Sequence, residues 1–246
     1  MTNQVAISVV LPAFNEEKLI GRCLESLTNQ DFSLPYEIIM VNNNSTDQTE
    51  TIAKSFTQVK LITEVVQGVV QARQRGLIEA QADIVVSADC DCVYPPMWLT
   101  NLYRHFADSL VVAAGGPAIA ETNPWWAHLI YKWGYRLVAF IYKKLGKVIY
   151  LGGYNFAFSK NVFLKSGGYK TYLDFGGDEL EPLARLKKMG KVVFDIQAYI
   201  YVSTRRYRVG FIKWFFVHNL YYYFLNYALA KVFKKQIIKA KAVRNI

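Results

Sequence analysis

Along residues 6–89, short apolar runs alternate with longer stretches in which apolar residues recur every three or four positions. The runs are AISVVLPAF (6–14), YEIIMV (36–41), VKLITEV (59–65) and DIVVSAD (83–89). They are rich in Val and Ile and mostly continuous rather than alternating, which predicts strands buried on both faces. Between the first two, Leu19, Ile20, Cys23, Leu24 and Leu27 share one helical face, and Asn15 is placed to cap that helix. NNNSTDQTETIAKSF (42–56) turns through polar residues into a second helix, and VVQARQRGLIEAQA (69–82) reads as a third. This alternation predicts a parallel α/β sheet with helices on both faces, whose ligand crevice lies beyond the carboxyl ends of the strands. Three polar clusters fall at such ends: PAFNEE (12–17), NNNSTD (42–47) and ADCDC (88–92).

Beyond about residue 110 the pattern changes. SLVVAAGGPAIA (109–120) reads as a strand with a bend, and residues 123–159 as an aromatic, basic helical insertion followed by a strand. DELEPLARLKKMGKVVFD (178–195) predicts a helix, a turn at Gly190 and a strand. Residues 209–243 read as one or two amphipathic helices. Their longest uncharged run, Trp214 to Ala230, contains His218, Asn219 and Asn226. That run suits the plane of a bilayer interface better than a span, with one spanning helix near 211–230 as the alternative. Trp125, Trp126 and Trp133 have sugar stacking or lipid contact as possible roles, with burial in the core as the ordinary expectation.

Composition changes the picture in two ways. At 246 residues with 52% hydrophobic and 20% charged positions, the chain supports a sizeable core, which excludes a disordered protein. Its three cysteines give no disulfide framework, so a reducing compartment is expected, and no secretory leader is read at the N-terminus. The charge is lopsided. Residues 1–121 carry 7 basic and 14 acidic side chains, residues 122–246 carry 22 and 5, and no acidic residue follows Asp195. Cationic residues set among Trp, Tyr and Phe fit an anionic membrane surface better than nucleic acid, for which there is no motif. A solvated basic tail is the plainer alternative.

The candidate chemistry centres on Asp89 and Asp91. If the strand ends near Ala88, both carboxylates point to one side. Such a pair suits a hard divalent cation bridging phosphate oxygens. Cys90 and Cys92 lack the spacing and the second ligand pair of a zinc site.

Taken in order, VVLPAFNEE, VNNNSTDQT, GVVQARQRGL, ADCDCVYPPMWL, GGYNFAFSKNVFLKSGGY and DELEPLARLKKMG resemble the inverting family 2 glycosyltransferases of GT-A fold, over roughly residues 5–206. The resemblance implies a domain 1–206, with a nucleotide-sugar half (1–121) and an acceptor half (122–206), followed by a basic aromatic region (207–246). It implies that Pro12, Ala13, Phe14, Asn15, Glu16, Asn42 and Asn43 hold the base and ribose of a nucleotide-sugar. Arg73 would approach base and phosphates, Asp89 the ribose or the metal shell, and Asp91 would hold Mg2+ or Mn2+ on the diphosphate. Asn42 stands where the family usually has Asp, so the base preference is open; Asn44 and Ser45 are assigned to the turn. The catalytic base would be Glu179 or Asp178, which appear in the reverse of the family's Glu-Asp order. Arg205 and Arg206 resemble phosphate-clamping residues, with a membrane-facing role equally open. Gly152 to Asn155, with Gly153 and Asn155 foremost, match the acceptor-side strand. The Q-x-x-R-W of processive members is absent, which implies single-sugar transfer. The implied protein works peripherally on the cytoplasmic side of the cell membrane, on a glycan or lipid-linked acceptor. A non-catalytic nucleotide-sugar-binding protein, and a sugar nucleotidyltransferase, are the alternatives.

Overall fold

The computed structural model describes residues 4–121, 124–173 and 178–235, less the side chains of Arg206, His218, Asn219, Tyr222, Tyr223, Phe224 and Asn226. Four strands, β1 (Ile7–Ala13), β2 (Tyr36–Asn42), β3 (Val59–Thr63) and β4 (Ile84–Ser87), alternate with the helices α1 (Ile20–Thr28), α2 (Thr49–Lys54) and α3 (Val69–Glu79). All four predicted strands are present; β1, β3 and β4 are shorter than expected, and β2 extends one residue further, to Asn42. β1 pairs in parallel with β2 on one side and β4 on the other, and β2 pairs in parallel with β3. Chain order reverses at β1, so a crevice opens where the carboxyl ends of β1 and β4 diverge.

The bent strand of the sequence divides in two, β6 (Val111–Gly115) and β7 (Ala118–Ala120), which join different sheets. β8 (Phe156–Ser159) inserts antiparallel between β4 and β6, and β9 (Lys191–Phe194) pairs in parallel with β6, completing a seven-stranded sheet of order β3-β2-β1-β4-β8-β6-β9. A second sheet unites β5 (Cys92–Val93), β10 (Ile200–Val202) and β7. Through β5 and β10 it ties the 89–92 turn to the segment after β9. Further helices are α4 (Trp98–Tyr103), α5 (Trp125–Leu145), α6 (Lys160–Lys165) and α7 (Leu180–Leu186), with a short 3-10 turn at Arg205–Tyr207.

The core runs the width of the large sheet. Ile7, Val9, Leu11, Ile39, Met40, Val86, Phe156 and Phe158 are fully buried, each contributing about 1.5–3 kcal/mol relative to exposure. α3 lies close against β1 because residue 76 is glycine: a Cβ there would collide with Val10 Cγ1.

Two local expectations are corrected. Helix α1 begins at Ile20 after Leu19, and Asn15 does not cap it. Asn15 instead sits in the left-handed region (φ 52°), which Asn tolerates, and its side-chain oxygen accepts from the Thr46 amide. Trp125 and Trp133 are exposed by 70% and 60%, not buried in the core. Trp126 joins an aromatic cluster with Tyr207, Phe211 and Trp214. Residues 211–233 are helical throughout, in consecutive segments Phe211–Lys213, Trp214–Leu225 and Asn226–Phe233, the middle one wound wide with π geometry. No helix of the described residues is long and apolar enough to cross a membrane.

Candidate active site

The site is built from loops that follow β1, β2 and β4. Pro12 and Ala13 are still strand residues, and their carbonyls accept from the Cys90 thiol and the Asn43 amide. The turn beyond them is pinned to the loop after β2: the Asn15 amide donates to Ser45 Oγ, the Glu16 amide to Thr49 Oγ1 and the Glu17 amide to Asp47 Oδ2. These bonds fix Phe14, Asn15 and Glu16 at the mouth of the crevice.

The 89–92 segment is a turn, closed by the Cys92 amide donating to the Asp89 carbonyl at 3.3 Å. This corrects the expectation that strand alternation carries both aspartates to one side. The turn is held from behind: the Asp89 amide donates to Tyr94 Oη at 2.8 Å, and the Cys23 thiol to the Asp89 carbonyl at 3.4 Å. Asp91 turns toward Arg205, which donates to its Oδ2 at 3.2 Å. The same guanidinium grips Glu16 with two bonds of 2.7 and 2.6 Å. Glu16, Asp91 and Arg205, from the two ends of the domain, thus form one largely buried ion cluster. The side chain of Arg206 lies outside the described residues.

Asp89 turns the other way, to Arg73. Arg73 is 1% exposed, neither on the helix surface nor free to reach a base or phosphate. Its Nη2 donates to Asp89 Oδ1 at 2.6 Å, its Nε to Asp178 Oδ2 at 3.2 Å, and its Nη1 to Ser87 Oγ and to the Ala88 carbonyl. Burial opposes its charge, but Asp89 and Asp178 outweigh that and hold its pKa above the ordinary value. Gly153 lies directly over this pair: a Cβ there would stand 3.0 Å from Asp178 Oδ2 and 3.3 Å from Arg73 Nη2. The Gly153 amide donates to Glu179 Oε2 at 3.0 Å, and Tyr150 Oη donates to the same oxygen at 3.1 Å. The sequence reading missed Tyr150; its only signal is its place just before the Gly152-Gly153 pair.

Three residues expected to contact ligand are engaged by partners within the protein. The Asn43 amide donates to the Glu64 and Val66 carbonyls, and its oxygen accepts from Gln67 Nε2 and the Gly68 amide. That uses every hydrogen-bonding position of the side chain. Asn42 donates to Glu50 and accepts from the Ser45 amide, which makes it part of the turn. Asn155 is fully buried: its oxygen accepts from Trp98 Nε1 at 2.9 Å and its amide donates to the Ala198 carbonyl at 2.8 Å. It fastens the start of β8 to α4 and to the small sheet and does not face an acceptor.

Among the described residues, no group of three His, Cys, Asp or Glu is placed to hold a metal ion alone. Burial, followed by the nearby acidic charges, raises the Cys23 and Cys92 thiols well above their usual range, so they stay protonated and are poor thiolate ligands. The donor chemistry fits a hard ion held by the Asp91 carboxylate, its shell completed by phosphate oxygens and water.

The family model described as "Glycosyl transferase family 2" matches residues 8–167, which include the loops after β1, β2 and β4. The chain belongs to glycosyltransferase family 2. Among curated relatives, Glycosyltransferase AglE of Haloferax volcanii is 33% identical over 116 residues, 45% of this chain and 38% of that protein. A dolichyl N-acetyl-alpha-D-glucosaminyl phosphate 3-beta-D-2,3-diacetamido-2,3-dideoxy-beta-D-glucuronosyltransferase of Methanococcus voltae is 36% identical over 87 residues, 32% of this chain and 27% of that protein. The chain therefore spans well under half the length of these relatives. Among solved structures, mannosyltransferase PcManGT from Pyrobaculum calidifontis, in complex with GDP-Man and Mn2+, superposes with a TM-score of 0.68 at 21% identity, over 98% of this chain and 66% of that one. S. aureus TarS 1–349 gives 0.63 at 19%, over 82% and 61%. At these identities the likeness shows the GT-A fold alone, which the family 2 chain shares.

Proposed function

We propose that this chain is an inverting glycosyltransferase. It moves one sugar from a nucleoside-diphosphate sugar to a lipid-linked or cell-envelope glycan acceptor, at the cytoplasmic face of the cell membrane. Residues 1–121 bind the donor and 122–206 the acceptor, with 207–246 serving the membrane. The observation that carries the reading is the pair of ion clusters that diverge from the single 89–91 turn. Glu16, Arg205 and Asp91 lie on one side, and Arg73, Asp89 and Asp178 on the other, under Gly153 and Glu179. The relatives add support: one is named for a dolichyl-linked substrate, and one neighbour binds GDP-Man and Mn2+.

In this reading Arg205 faces the donor diphosphate, and Asp91 is the residue that would hold Mg2+ or Mn2+. When bound, the ion supplies Lewis-acid stabilisation of the departing diphosphate. Phe14, Asn15 and Glu16 border the nucleoside, while Asn42 and Asn43 shape its pocket from behind. We assign the base to Glu179, which sits on the acceptor-side loop, because Asp178 is engaged in holding Arg73. Glu179 Oε2, oriented by Tyr150 and the Gly153 amide, takes the proton of the acceptor hydroxyl as that oxygen attacks the anomeric carbon.

The test is thermal unfolding with UDP-, GDP- and dTDP-sugars, with and without Mn2+. One nucleotide-sugar is expected to raise Tm only when the ion is present. A ligand at a hundred times its Kd contributes about 2.7 kcal/mol. Asp91→Asn should abolish the ion-dependent part. Equal stabilisation of wild type and Asp91→Asn, with or without EDTA, defeats the proposal; binding with no donor hydrolysis or transfer points to the non-catalytic alternative.

A further inference from the structure

The outer face of α5 is unpartnered among the described residues. At 3.6 residues per turn, Trp125, Leu129, Trp133, Leu137 and Phe140 fall within roughly a third of the helix circumference, and all five are exposed. Lys132, Arg136 and Lys143 follow one border of this stripe, and α5 contains no Asp or Glu. The Arg136 guanidinium stands 5.0 Å from the Trp133 ring centre, so cation and aromatic share one surface. Trp126 joins the N-terminal end of α5 to Phe211 and Trp214, at ring separations of 5.3 and 5.4 Å. Beside it, Phe211, Ile212, Phe215 and Phe216 are also exposed. A contiguous apolar surface of this kind on a folded chain marks an interaction site.

The inner face of α5 leads to the site. Tyr135 is buried, and its hydroxyl lies 2.9 Å from that of Tyr154, the residue after Gly153. Tyr131 and Tyr207 pack together at 5.8 Å, and Tyr207 ends the turn that carries Arg205.

We propose that the outward stripe of α5, with Phe211–Phe216, is a docking surface for an anionic phospholipid leaflet. The helix lies in the interface plane, its apolar stripe below the headgroups and its cationic border among them. Charge complementarity selects this occupant. Two copies of the chain meeting through this face would bring two all-cationic borders together, whereas an anionic leaflet neutralises one. A consequence rests on the glycosyltransfer reading: a lipid-linked acceptor held in the same leaflet meets the Tyr150–Gly153 loop from the side on which α5 packs. Lipid docking itself does not rest on that reading.

The experiment is co-sedimentation of the whole chain with phosphatidylglycerol/phosphatidylcholine vesicles and with phosphatidylcholine vesicles alone, at low and high salt. Two variants accompany it: Leu129→Gln/Trp133→Gln/Leu137→Gln, and Lys132→Gln/Arg136→Gln/Lys143→Gln. All six side chains point outward, so Tm and donor-induced stabilisation should match wild type. Wild type should sediment with the anionic vesicles, less so at high salt. The apolar variant should lose about tenfold in partitioning at both salt levels, and the charge variant should lose mainly the salt-sensitive part. Equal partitioning of wild type and both variants, or equal binding to the neutral vesicles, overturns the proposal. So does a variant-sensitive dimer in sedimentation equilibrium without vesicle binding, which would assign the face to a second copy. Vesicle binding without any donor-induced rise in Tm would defeat the catalytic reading and leave the docking surface intact.

Discussion

Arg73 shows how a single buried cation can organise a polar site. It satisfies two carboxylates and two further oxygens while shielded from water. Arg73→Leu leaves Asp89 and Asp178 without their counter-charge, and removing one partner of a buried ion pair costs about 3–5 kcal/mol. Chemical denaturation should register that loss, and donor binding should weaken with it. Glu179→Gln is expected to behave differently: stability close to wild type, donor-induced Tm rise retained, and transfer reduced by about 10²–10⁴. Tyr150→Phe tests positioning. Its hydroxyl donates to a carboxylate, a bond of about 1.5–3 kcal/mol, so kcat should fall by roughly 10–100-fold with the donor KM unchanged. An equal loss in KM would mean that Tyr150 serves folding of the loop instead. At this scale the sequence was legible in placing polar loops after apolar strands, as at Asn15, Glu16, Asp89 and Asp91, which follow β1 and β4. It was not legible where a side chain's fate depends on distant partners. Nothing local in Asn43 or Asn155 foretells the carbonyls of Glu64 and Val66 or the indole of Trp98.

Elements set where those residues stand. The four-strand, three-helix alternation of the first half was readable because β1, β2 and β4 are mainly apolar and buried and α1 keeps its period, while β3, at the sheet edge, carries Lys60 and Thr63 to the surface. The small sheet was not, since its strands have two or three residues, too few for any periodicity. Neither was the clamp at the end of β9. There Arg104 and His105 contact Asp195 Oδ2 at 2.6 and 2.7 Å. Burial alone would raise the Asp195 pKa, but the bonds from His105, the Gln197 amide and Arg104 prevail and hold it below its usual value. The folded pKa is thus below the unfolded one, about 3.9. This carboxylate stabilises the fold fully above that value and progressively less as pH falls through the depressed folded pKa. Asp195→Asn should therefore lower Tm at neutral pH, by the equivalent of about 1–3 kcal/mol, and lose less than wild type between pH 5 and pH 3. Tm measured across that range decides it.

For the molecule as a whole, the placement of β8 matters most. This four-residue strand, reversed relative to its neighbours, joins β4 on one side and β6 on the other. Both halves of the chain therefore share one sheet, and α5 is a tethered excursion between β7 and β8. A fragment ending at Glu121 would leave β4 with an unpaired apolar edge, and is expected to pellet on centrifugation where the full chain stays in solution. During synthesis the same edge is a transient hazard. β4 emerges from the ribosome roughly 70 residues ahead of the segment that covers it, and at about 5–20 residues per second that leaves it bare for several seconds. For that interval the bare edge of β4 is open to pairing with another chain.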